Sequence, residues 1–384
     1  MPRKEMNILQ KIERRSLTLE AFVEKIIVGI QTSADNIYIL EKRSSEVDFY
    51  KVFSKASGKE FLLEKDLLKP LISGEDIERY FVKPSSKLLL FPYKLLSGGG
   101  AELISQAEFE KKYPKTWAYL KEHERKLRNR EGGKFDGDDW YRLGRTQNLD
   151  KHERPKFGVP RLCDRLKVFF DEEGNFYFDN VDVNGILLKT DEMYSHYFLL
   201  SVLNSKIIDW RFKVGSVPFR GSFFSANKQF LSSLPIPTIN FDLRDENAFK
   251  KLKEDYSTGM PLKDLVERIK FLPSNSAVLH DFLSYLSKQM IKLNQNKHFL
   301  QLFIEDKLEH GTDAIIKVMK LLEKHPEWEE GLSENTKKEI ARNLLYKYAE
   351  QINQTDKLID QIVYHLYGLN EEDVKIIEQF SSEV

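Results

Sequence analysis

The sequence of 384 residues has little cysteine and no long apolar run. Cys163 is its single cysteine, which excludes an internal disulfide and a zinc site built from cysteines; its apolar neighbours favour a packing role. No apolar stretch reaches the ~18 residues that a membrane span needs, and the charged N-terminus is unlike a signal peptide. We therefore expect a cytoplasmic protein with no membrane partner.

The sequence also lacks a net charge, because 60 basic residues balance 60 acidic ones. The charges are nevertheless unevenly distributed. Fifteen basic residues face nine acidic ones between 115 and 167, and five face one between 201 and 230, whereas 260–384 carries sixteen basic and twenty-one acidic residues. This distribution excludes a binder that is basic throughout and predicts a basic middle followed by an acidic end.

Known catalytic motifs are missing as well. No Pro-Pro pair occurs, so the chain lacks the Pro-Pro-aromatic loop with which DNA amino-methyltransferases hold a flipped base. The glycines at 98–100 and 132–133 lie in polar loops, not between a strand and a helix where a cofactor-binding turn would lie. The histidines lack metal-ligand spacing, and there is no G-x-S-x-G elbow. We predict no catalytic, cofactor or metal site on this chain, which favours a binding protein.

Hydrophobic periodicity predicts an α+β fold in two parts. The first is a mixed α/β domain over residues 1–245, and the second is a mainly α-helical domain over 246–384. Short alternating or apolar runs predict the strands, and a polar turn at 172–175 predicts a hairpin between its flanking runs. The segments concerned are strands at 25–32, 36–40, 87–93 and 183–190, the hairpin at 166–180, and one or two amphipathic helices within 191–212.

The last part of the chain carries clear helix signals. Apolar residues recur at helical spacing from Leu344 to Leu366, which predicts one long helix that ends near Gly368. Asn370 is predicted to cap a final helix whose first turn is acidic, as the helix dipole favours.

Residues 113–162 combine arginines with aromatic residues and glycines. Arginine can bind guanine or a phosphate, and glutamine can pair with adenine. Acidic residues are too few to neutralise the whole cluster, so we expect several of these cations to reach solvent. Trp140 and Tyr141 are interpreted as structural supports. The candidate DNA contacts are Arg125, Arg128, Arg130, Arg142, Arg145 and Gln147.

A second stretch, 210–237, is a loop rich in glycine, serine and phenylalanine. Such a loop lets the backbone approach a groove closely, while its serines offer hydrogen bonds to phosphates. We expect the pair Phe223–Phe224 to belong to the core, with stacking on a base as the alternative. The candidate contacts here are Lys213, Ser216, Arg220, Ser222 and Lys228.

Several motifs occur in a fixed order along the chain. They are GIQTSADNIYIL (29–40), LLKPLISGEDIERYFV (67–82) with LLLFPY (88–93), YPKTWAYLKEHERKLRNR (113–130), WYRLGRTQNL (140–149), YFLLSVLNSKIIDWRF (197–212) with FLSSLPIP (230–237), and LIDQIVYHLYGLNEEDVKIIE (358–378). In this order they resemble the TaqI-like C-terminal specificity domain of type IIG restriction–modification enzymes and adenine-specific DNA methyltransferases. Residues 275–350 match no such motif and look like a helical insertion.

The resemblance implies a function without chemistry of its own. Such a domain reads base edges of double-stranded DNA and helps to position a target adenine for a methyltransferase domain or subunit. S-adenosylmethionine, and Mg²⁺ where the parent enzyme also cleaves, would be bound by that missing part, so this chain would be a piece of a longer enzyme or a separate subunit. The resemblance marks Ser216, Phe219, Arg220 and Ser222 as recognition candidates, with Arg142, Arg145 and Gln147 as a second group.

Two other functions stay open at this point. One is a metal-dependent nuclease with an unrecognised site, for which the Glu-x-Lys triplets at 124–126 and 305–307 are weak candidates. The other is an adaptor whose acidic helical tail binds a catalytic subunit, which is compatible with DNA reading.

Overall fold

We analysed a computed structural model that describes residues 3–180, 182–189, 193–219, 222–308 and 313–383. The strands of these ranges are β1 (Ser16–Thr18), β2 (Val23–Val28), β3 (Ile39–Ser45), β4 (Phe49–Ser54), β5 (Lys59–Glu64), β6 (Leu68–Ile72), β7 (Ile77–Glu78), β8 (Phe81–Val82), β9 (Lys87–Leu90), β10 (Tyr93–Leu95), β11 (Ala101–Leu103), β12 (Lys156–Pro160), β13 (Leu162–Cys163), β14 (Phe169–Asp171), β15 (Tyr177–Phe178), β16 (Val183–Leu188), β17 (Phe224–Ser225) and β18 (Pro235–Pro237).

The helices of the described ranges lie mostly in the second half of the chain. They are α1 (Arg3–Glu13), α2 (Asp35–Tyr38), α3 (Gln106–Lys112), α4 (Pro114–Glu122), α5 (Glu124–Arg128), α6 (His196–Leu203), α7 (Lys206–Gly215), α8 (Lys228–Ser232), α9 (Glu246–Ser257), α10 (Leu262–Lys270), α11 (Ala277–Ile304), α12 (Asp313–Leu322), α13 (Glu334–Leu366) and α14 (Glu371–Glu383). The predicted α+β class is confirmed.

Two larger sheets organise the first half of the chain. One has the strand order β15-β6-β9-β3-β4-β5, in which only the β15–β6 pair is parallel. The other has the order β14-β12-β16-β2 and is antiparallel throughout. Helices α3 to α5 pack on the first sheet, where Phe109, Trp117 and Tyr141 form one aromatic group of its core.

The predicted hairpin at 166–180 is wrong. Its two strands form, but β14 pairs with β12 and β15 pairs in parallel with β6, so the segment joins the two sheets. Between the two strands, the Asp171 carboxylate accepts hydrogen bonds from the backbone N–H groups of Asn175 and Phe176 and so stabilises the connecting turn. Sequence alternation identifies a half-buried strand but not its partner.

Other predicted strands form over shorter ranges. The strand expected at 25–32 ends at Val28, and the one at 36–40 starts only at Ile39 because Asp35–Tyr38 forms a helical turn. The run 87–93 divides into β9 and β10, and 183–188 forms β16. Two helices, α6 and α7, lie within the range 191–212 and just beyond it, and Thr190 to Glu192 fall outside the described residues.

The helical predictions for the end of the chain are confirmed. Helix α13 continues to Leu366, and Gly368 follows it in the left-handed region with φ of 66°. Asn370 and Asp373 cap α14 reciprocally: the Asp373 N–H donates to the Asn370 side chain, and the Asn370 N–H donates to the Asp373 carboxylate.

One apolar core joins residues on both sides of position 245. Ile8, Phe157 and Trp210 belong to the same buried cluster as Leu283 and Ile362. The boundary between domains at 245 therefore stays a prediction. Cys163 lies in this core, where burial raises the pKa of its thiol to about 12, and its predicted packing role is confirmed.

An ion pair connects the sheets to helix α13. Arg79, which follows β7, donates to both carboxylate oxygens of Asp356 and to the backbone oxygen of Asn204. Asp360, one turn further along α13, accepts a hydrogen bond of 2.8 Å from the Lys206 N–H, and burial raises the pKa of its carboxyl to about 7. The motif at 67–82 thus meets the motif at 358–378 in space, although they are far apart in sequence.

Helices α11 and α13 run antiparallel and extend beyond the main core. With 28 and 33 residues they are about 42 and 50 Å long. The end of α11, the start of α13 and helix α12 surround a separate small core that contains Leu300, Val318 and Ile340. This three-helix tip accounts for most of the predicted helical insertion at 275–350.

His152 gives the fold a testable acid sensitivity. Its ring is buried and stacks on Tyr177 at 5.3 Å between ring centroids, and burial lowers its pKa to about 3. In the unfolded chain the pKa is about 6.5. Only the unfolded state therefore takes up this proton between pH 6.5 and about 3, so the contribution to stability is full above pH 6.5 and is lost as the pH falls.

We expect each pH unit in that window to cost up to about 1.4 kcal/mol at this residue. Urea unfolding of the wild type and of His152→Phe, which keeps the stacked ring, should measure it. The stability difference between the two should shift in favour of the variant as the pH falls from 6.5 to 4. A difference that stays constant with pH would show that His152 is not neutral in the fold.

Candidate nucleic-acid interface

Three strand ends meet at one edge of the four-stranded sheet. In the register of this sheet, Val28 at the end of β2 lies opposite Asn184, and Pro160 at the end of β12 lies opposite Val183 at the start of β16. The segments that leave these strands are therefore neighbours. We use the name loop edge for the segments 29–36, 130–147, 161–163, 216–219 and 222–228.

A close approach of two backbones fixes the first segment. The Ile30 N–H donates to the Phe178 oxygen at 2.7 Å, and Ile30 forms a bridge with Asp179. A Cβ on Gly29 would lie 2.1 Å from the backbone oxygen of Asp179, so only glycine fits there.

The segment 142–147 is attached to the first one. The N–H groups of Gly144 and Arg145 donate to the backbone oxygens of Thr32 and Gln31, at 3.0 and 3.1 Å. A Cβ on Gly144 would lie 2.1 Å from Oγ of Ser33. This attachment leaves the Arg145 side chain on the surface, 48% exposed, with its guanidinium 3.0 Å from Glu131.

Arg130 braces this arrangement from inside. Its guanidinium donates to the backbone oxygens of Leu127, Thr32, Trp140 and Arg142 at 2.7 to 2.9 Å. It also lies 3.9 Å from the centre of the Phe135 ring, and burial lowers its pKa. One side chain thereby sets the spacing of the segments 29–36 and 130–147.

The chain is similar to known restriction–modification proteins. Residues 69–236 match the family model of the TaqI-like C-terminal specificity domain. The chain is 30% identical over 227 residues to the type II restriction enzyme and methyltransferase RM.Eco57I of Escherichia coli, which is 56% of this chain and 22% of that protein.

A second relative is the type II methyltransferase M.BstVI of Geobacillus stearothermophilus, 26% identical over 172 residues, which is 44% of this chain and 26% of that protein. The chain thus spans about a quarter of the length of the curated relatives it matches.

The predicted arginines of residues 113–162 lie in three environments. Arg125 is exposed, with no carboxylate within 4 Å in the described ranges, and Arg145 and Gln147 are exposed on the loop edge. Arg128 and Arg142 are held by carboxylates, of Glu124 and Asp136 for the first and of Asp139 for the second.

Two predicted contacts lie inside the protein. Arg130 is the brace described above, and the side chain of Lys213 is 6% exposed and pairs with Asp209 at 3.3 Å. Backbone oxygens bind Arg130, and a carboxylate on the same helix binds Lys213, so both side chains are buried and not at the expected surface position. Their role as DNA contacts stays a prediction.

The second predicted stretch, 210–237, is not a loop throughout, because it includes the end of helix α7 and the whole of α8. Residues 216–219 and 222–225 form a short ribbon, which pairs with β13. Phe219 and Phe223 are joined by a backbone hydrogen bond of 2.7 Å, and the Ser216 hydroxyl donates to the Ser225 oxygen at 2.7 Å. Phe224 is buried as expected, whereas Phe223 is exposed. Phe219, Ser222 and Lys228 are exposed, and Arg220 lies outside the described residues.

Sequence reasoning missed a polar cavity beside the loop edge. It has a volume of about 720 Å³, and side-chain amides and cations dominate its lining. The motif at 29–40 was the available signal, but nothing in it shows which side chains share a cavity with residues 55, 126 and 180. The polar lining includes Gln31, Ser33, Asn36, Lys55, Lys126 and Asn180.

Trp140 and Tyr141 are buried in the sheet core, so their structural interpretation is confirmed. Of the two nuclease candidates, Glu305 and Lys307 form an exposed ion pair of 2.6 Å, and Glu124 pairs with Lys121 and Arg128. Among the residues that the structure describes, no group of three or more His, Cys, Asp or Glu could hold a metal ion. The nuclease alternative therefore has no support. No described helix is both long and apolar enough to cross a membrane.

Proposed function

We propose that this chain reads the sequence of double-stranded DNA for a restriction–modification enzyme and binds the duplex along the loop edge. The observation that carries the proposal is the convergence of several segments of a TaqI-like specificity domain at one sheet edge, where they present arginine, glutamine and asparagine side chains. Arginine and amide side chains have the hydrogen-bonding geometry that distinguishes guanine and adenine in the major groove.

The side chains divide into two roles. Arg145 and Gln147 are proposed to read base edges, together with the amides of Gln31, Asn36 and Asn180. Arg125 and Lys126 are proposed to bind phosphates, because they are exposed and have no carboxylate partner in the described ranges. Ser216, Ser222 and Lys228 stay predicted contacts, and so does Arg220, which lies outside the described residues.

The chemistry is proposed to come from a methyltransferase domain or subunit. That part would bind S-adenosylmethionine and methylate an adenine that this chain helps to position, and a cleaving enzyme would add Mg²⁺ there. The acidic helical end suits contact with a catalytic partner. The proposed location of the assembled enzyme is the cytoplasm.

The DNA-reading role predicts a steep loss of affinity with salt. The logarithm of the binding constant should fall with slope of about −0.9 per phosphate contacted. Arg125→Ala should weaken binding to all duplexes alike and make this slope shallower by about one. Arg145→Ala should cost about 1–3 kcal/mol on the preferred sequence and little on others.

Fluorescence anisotropy on duplexes selected from a random pool measures both effects. Arg244→Ala is the matched control, because Arg244 is 52% exposed and also faces a carboxylate, that of Asp281 in α11, but lies outside the loop edge. Equal behaviour of Arg145→Ala and Arg244→Ala on selected and unselected duplexes would contradict the assignment of Arg145.

A further inference from the structure

The ribbon at the loop edge has one buried and one exposed face. Leu162 lies opposite Ser225 and Cys163 opposite Phe224, while Pro218 forms a bridge with Phe224. Alternate residues of a strand point to opposite sides. Cys163 and Phe224 therefore point into the core. The opposite side, here called the apolar face, carries Leu162, Val217, Phe219 and Phe223.

The four apolar side chains of this face are unusually exposed to solvent. The exposed fractions are 41% for Leu162, 60% for Val217, 54% for Phe219 and 46% for Phe223. Scattered apolar residues are normal on a surface, but four adjoining ones indicate a contact with another molecule. The backbone holds them there, because Phe224 on the same strand is anchored against Phe212 at 6.3 Å between ring centroids.

The surroundings of the apolar face are cationic. Arg161 directly precedes β13, and Lys228 begins α8 just after β17; both are exposed and have no carboxylate within 4 Å in the described part of the chain. The Ala226 N–H donates to the Arg161 oxygen at 2.8 Å, which places Arg161 opposite Ala226, two residues before Lys228. Both cations therefore lie at the same end of the ribbon.

These features select DNA as the occupant. A stable second copy or permanent subunit buries about 800 Å² on each partner, which exceeds what four side chains supply. Exposed cations beside an apolar tip, with no carboxylate partner among the described residues, instead match a duplex, in which the phosphate backbone borders each base-pair step. Proteins that bend DNA insert apolar side chains at such steps and unstack the bases.

We propose that the apolar face is a wedge that inserts Phe219 between adjacent base pairs of the bound duplex, while Arg161 and Lys228 bind the phosphate backbone beside it. This inference rests on the proposed DNA-reading function and adds a distortion of the duplex to it. The unstacked step would lower the cost of extruding a neighbouring base.

The test uses the full chain and a duplex that the wild-type protein selects from a random pool. 2-Aminopurine is placed at successive positions, since its fluorescence rises when it is unstacked. We expect a several-fold rise at one or two adjacent positions with the wild type. Phe219→Ser should lose most of the rise, and Phe219→Leu should keep part of it. Phe271→Ser should keep it all, because Phe271 is also an exposed phenylalanine but lies in the helical part.

The outcomes separate the two proposals. If a sequence is selected but no position becomes unstacked, or if unstacking persists in Phe219→Ser, the wedge is wrong and DNA reading stands. If no sequence is selected and no duplex is bound, both proposals are wrong. If Phe219→Ser leaves the DNA signals unchanged and instead abolishes binding of a methyltransferase subunit or self-association, the apolar face is a protein contact. An unchanged melting temperature of Phe219→Ser confirms that the ribbon remains folded.

Discussion

Arg130→Ala should destabilise the protein by about 3–5 kcal/mol, because buried backbone oxygens that lose a charged donor have no replacement partner. The guanidinium binds four such oxygens and lies against the Phe135 ring. The same change should weaken binding to a selected duplex at least as strongly as Arg145→Ala, since the spacing between Thr32 and the segment that carries Arg145 is lost. Urea unfolding and anisotropy measure the two effects.

Arg130→Lys is the control that separates charge from geometry. An ammonium group has three donors and lacks the planar fork that reaches oxygens on opposite sides. We therefore expect Arg130→Lys to recover part of the stability and little of the affinity. Full recovery of both by lysine, or an unfolding midpoint of Arg130→Ala equal to that of the wild type, would contradict the role of Arg130 as a brace.

The second large effect is expected at the ion pair between Lys156 and Asp171. The Lys156 ammonium lies 2.5 Å from the Asp171 carboxylate, and the two side chains are 0% and 2% exposed. Removing one partner of a buried pair typically costs about 3–5 kcal/mol because the other charge stays buried. Asp171→Ala should lose this amount in urea unfolding, and it also removes the acceptor for the N–H groups of Asn175 and Phe176.

The double variant Lys156→Met/Asp171→Asn tests this explanation. Asparagine keeps an oxygen for the backbone N–H groups, and methionine removes the buried ammonium. The double variant should therefore be more stable than Asp171→Asn alone. If the stability losses of the single variants Lys156→Met and Asp171→Asn simply add in the double variant, the cost does not come from an unpaired buried charge.

The sequence was sufficient for elements whose signals are local. The long helix to Leu366 and the cap at Asn370 were predicted correctly, because periodicity, a following glycine and an Asn-x-x-Asp cap all lie within a few residues of each other. The hairpin at 166–180 was predicted wrongly, because the choice of partner for β14 and β15 depends on strands β12 and β6, which lie elsewhere in the chain.

The candidate site also combines features with local sequence signals and features that depend on distant segments. The basic stretches and the Trp140–Tyr141 support were visible in the sequence. The sequence did not show that Arg125 is exposed and Arg130 is buried, although the two lie five residues apart in one cluster. Arg130 is buried because Thr32, Trp140 and Arg142 turn their backbone oxygens toward it. Contacts of this kind exist only after the chain has folded.

Helix α13 joins two distant places in one rigid body. Asp356, which binds Arg79 beside the sheets, and Ile340, which lies in the core of the tip, are sixteen residues apart on the same uninterrupted helix, or about 24 Å. The continuous helix therefore connects the tip directly to the ion pair of Arg79 and Asp356. A molecule that displaced the tip would therefore also displace the contact between the helices and the sheets. Because the loop edge is attached to those sheets, its position would depend on what binds the tip.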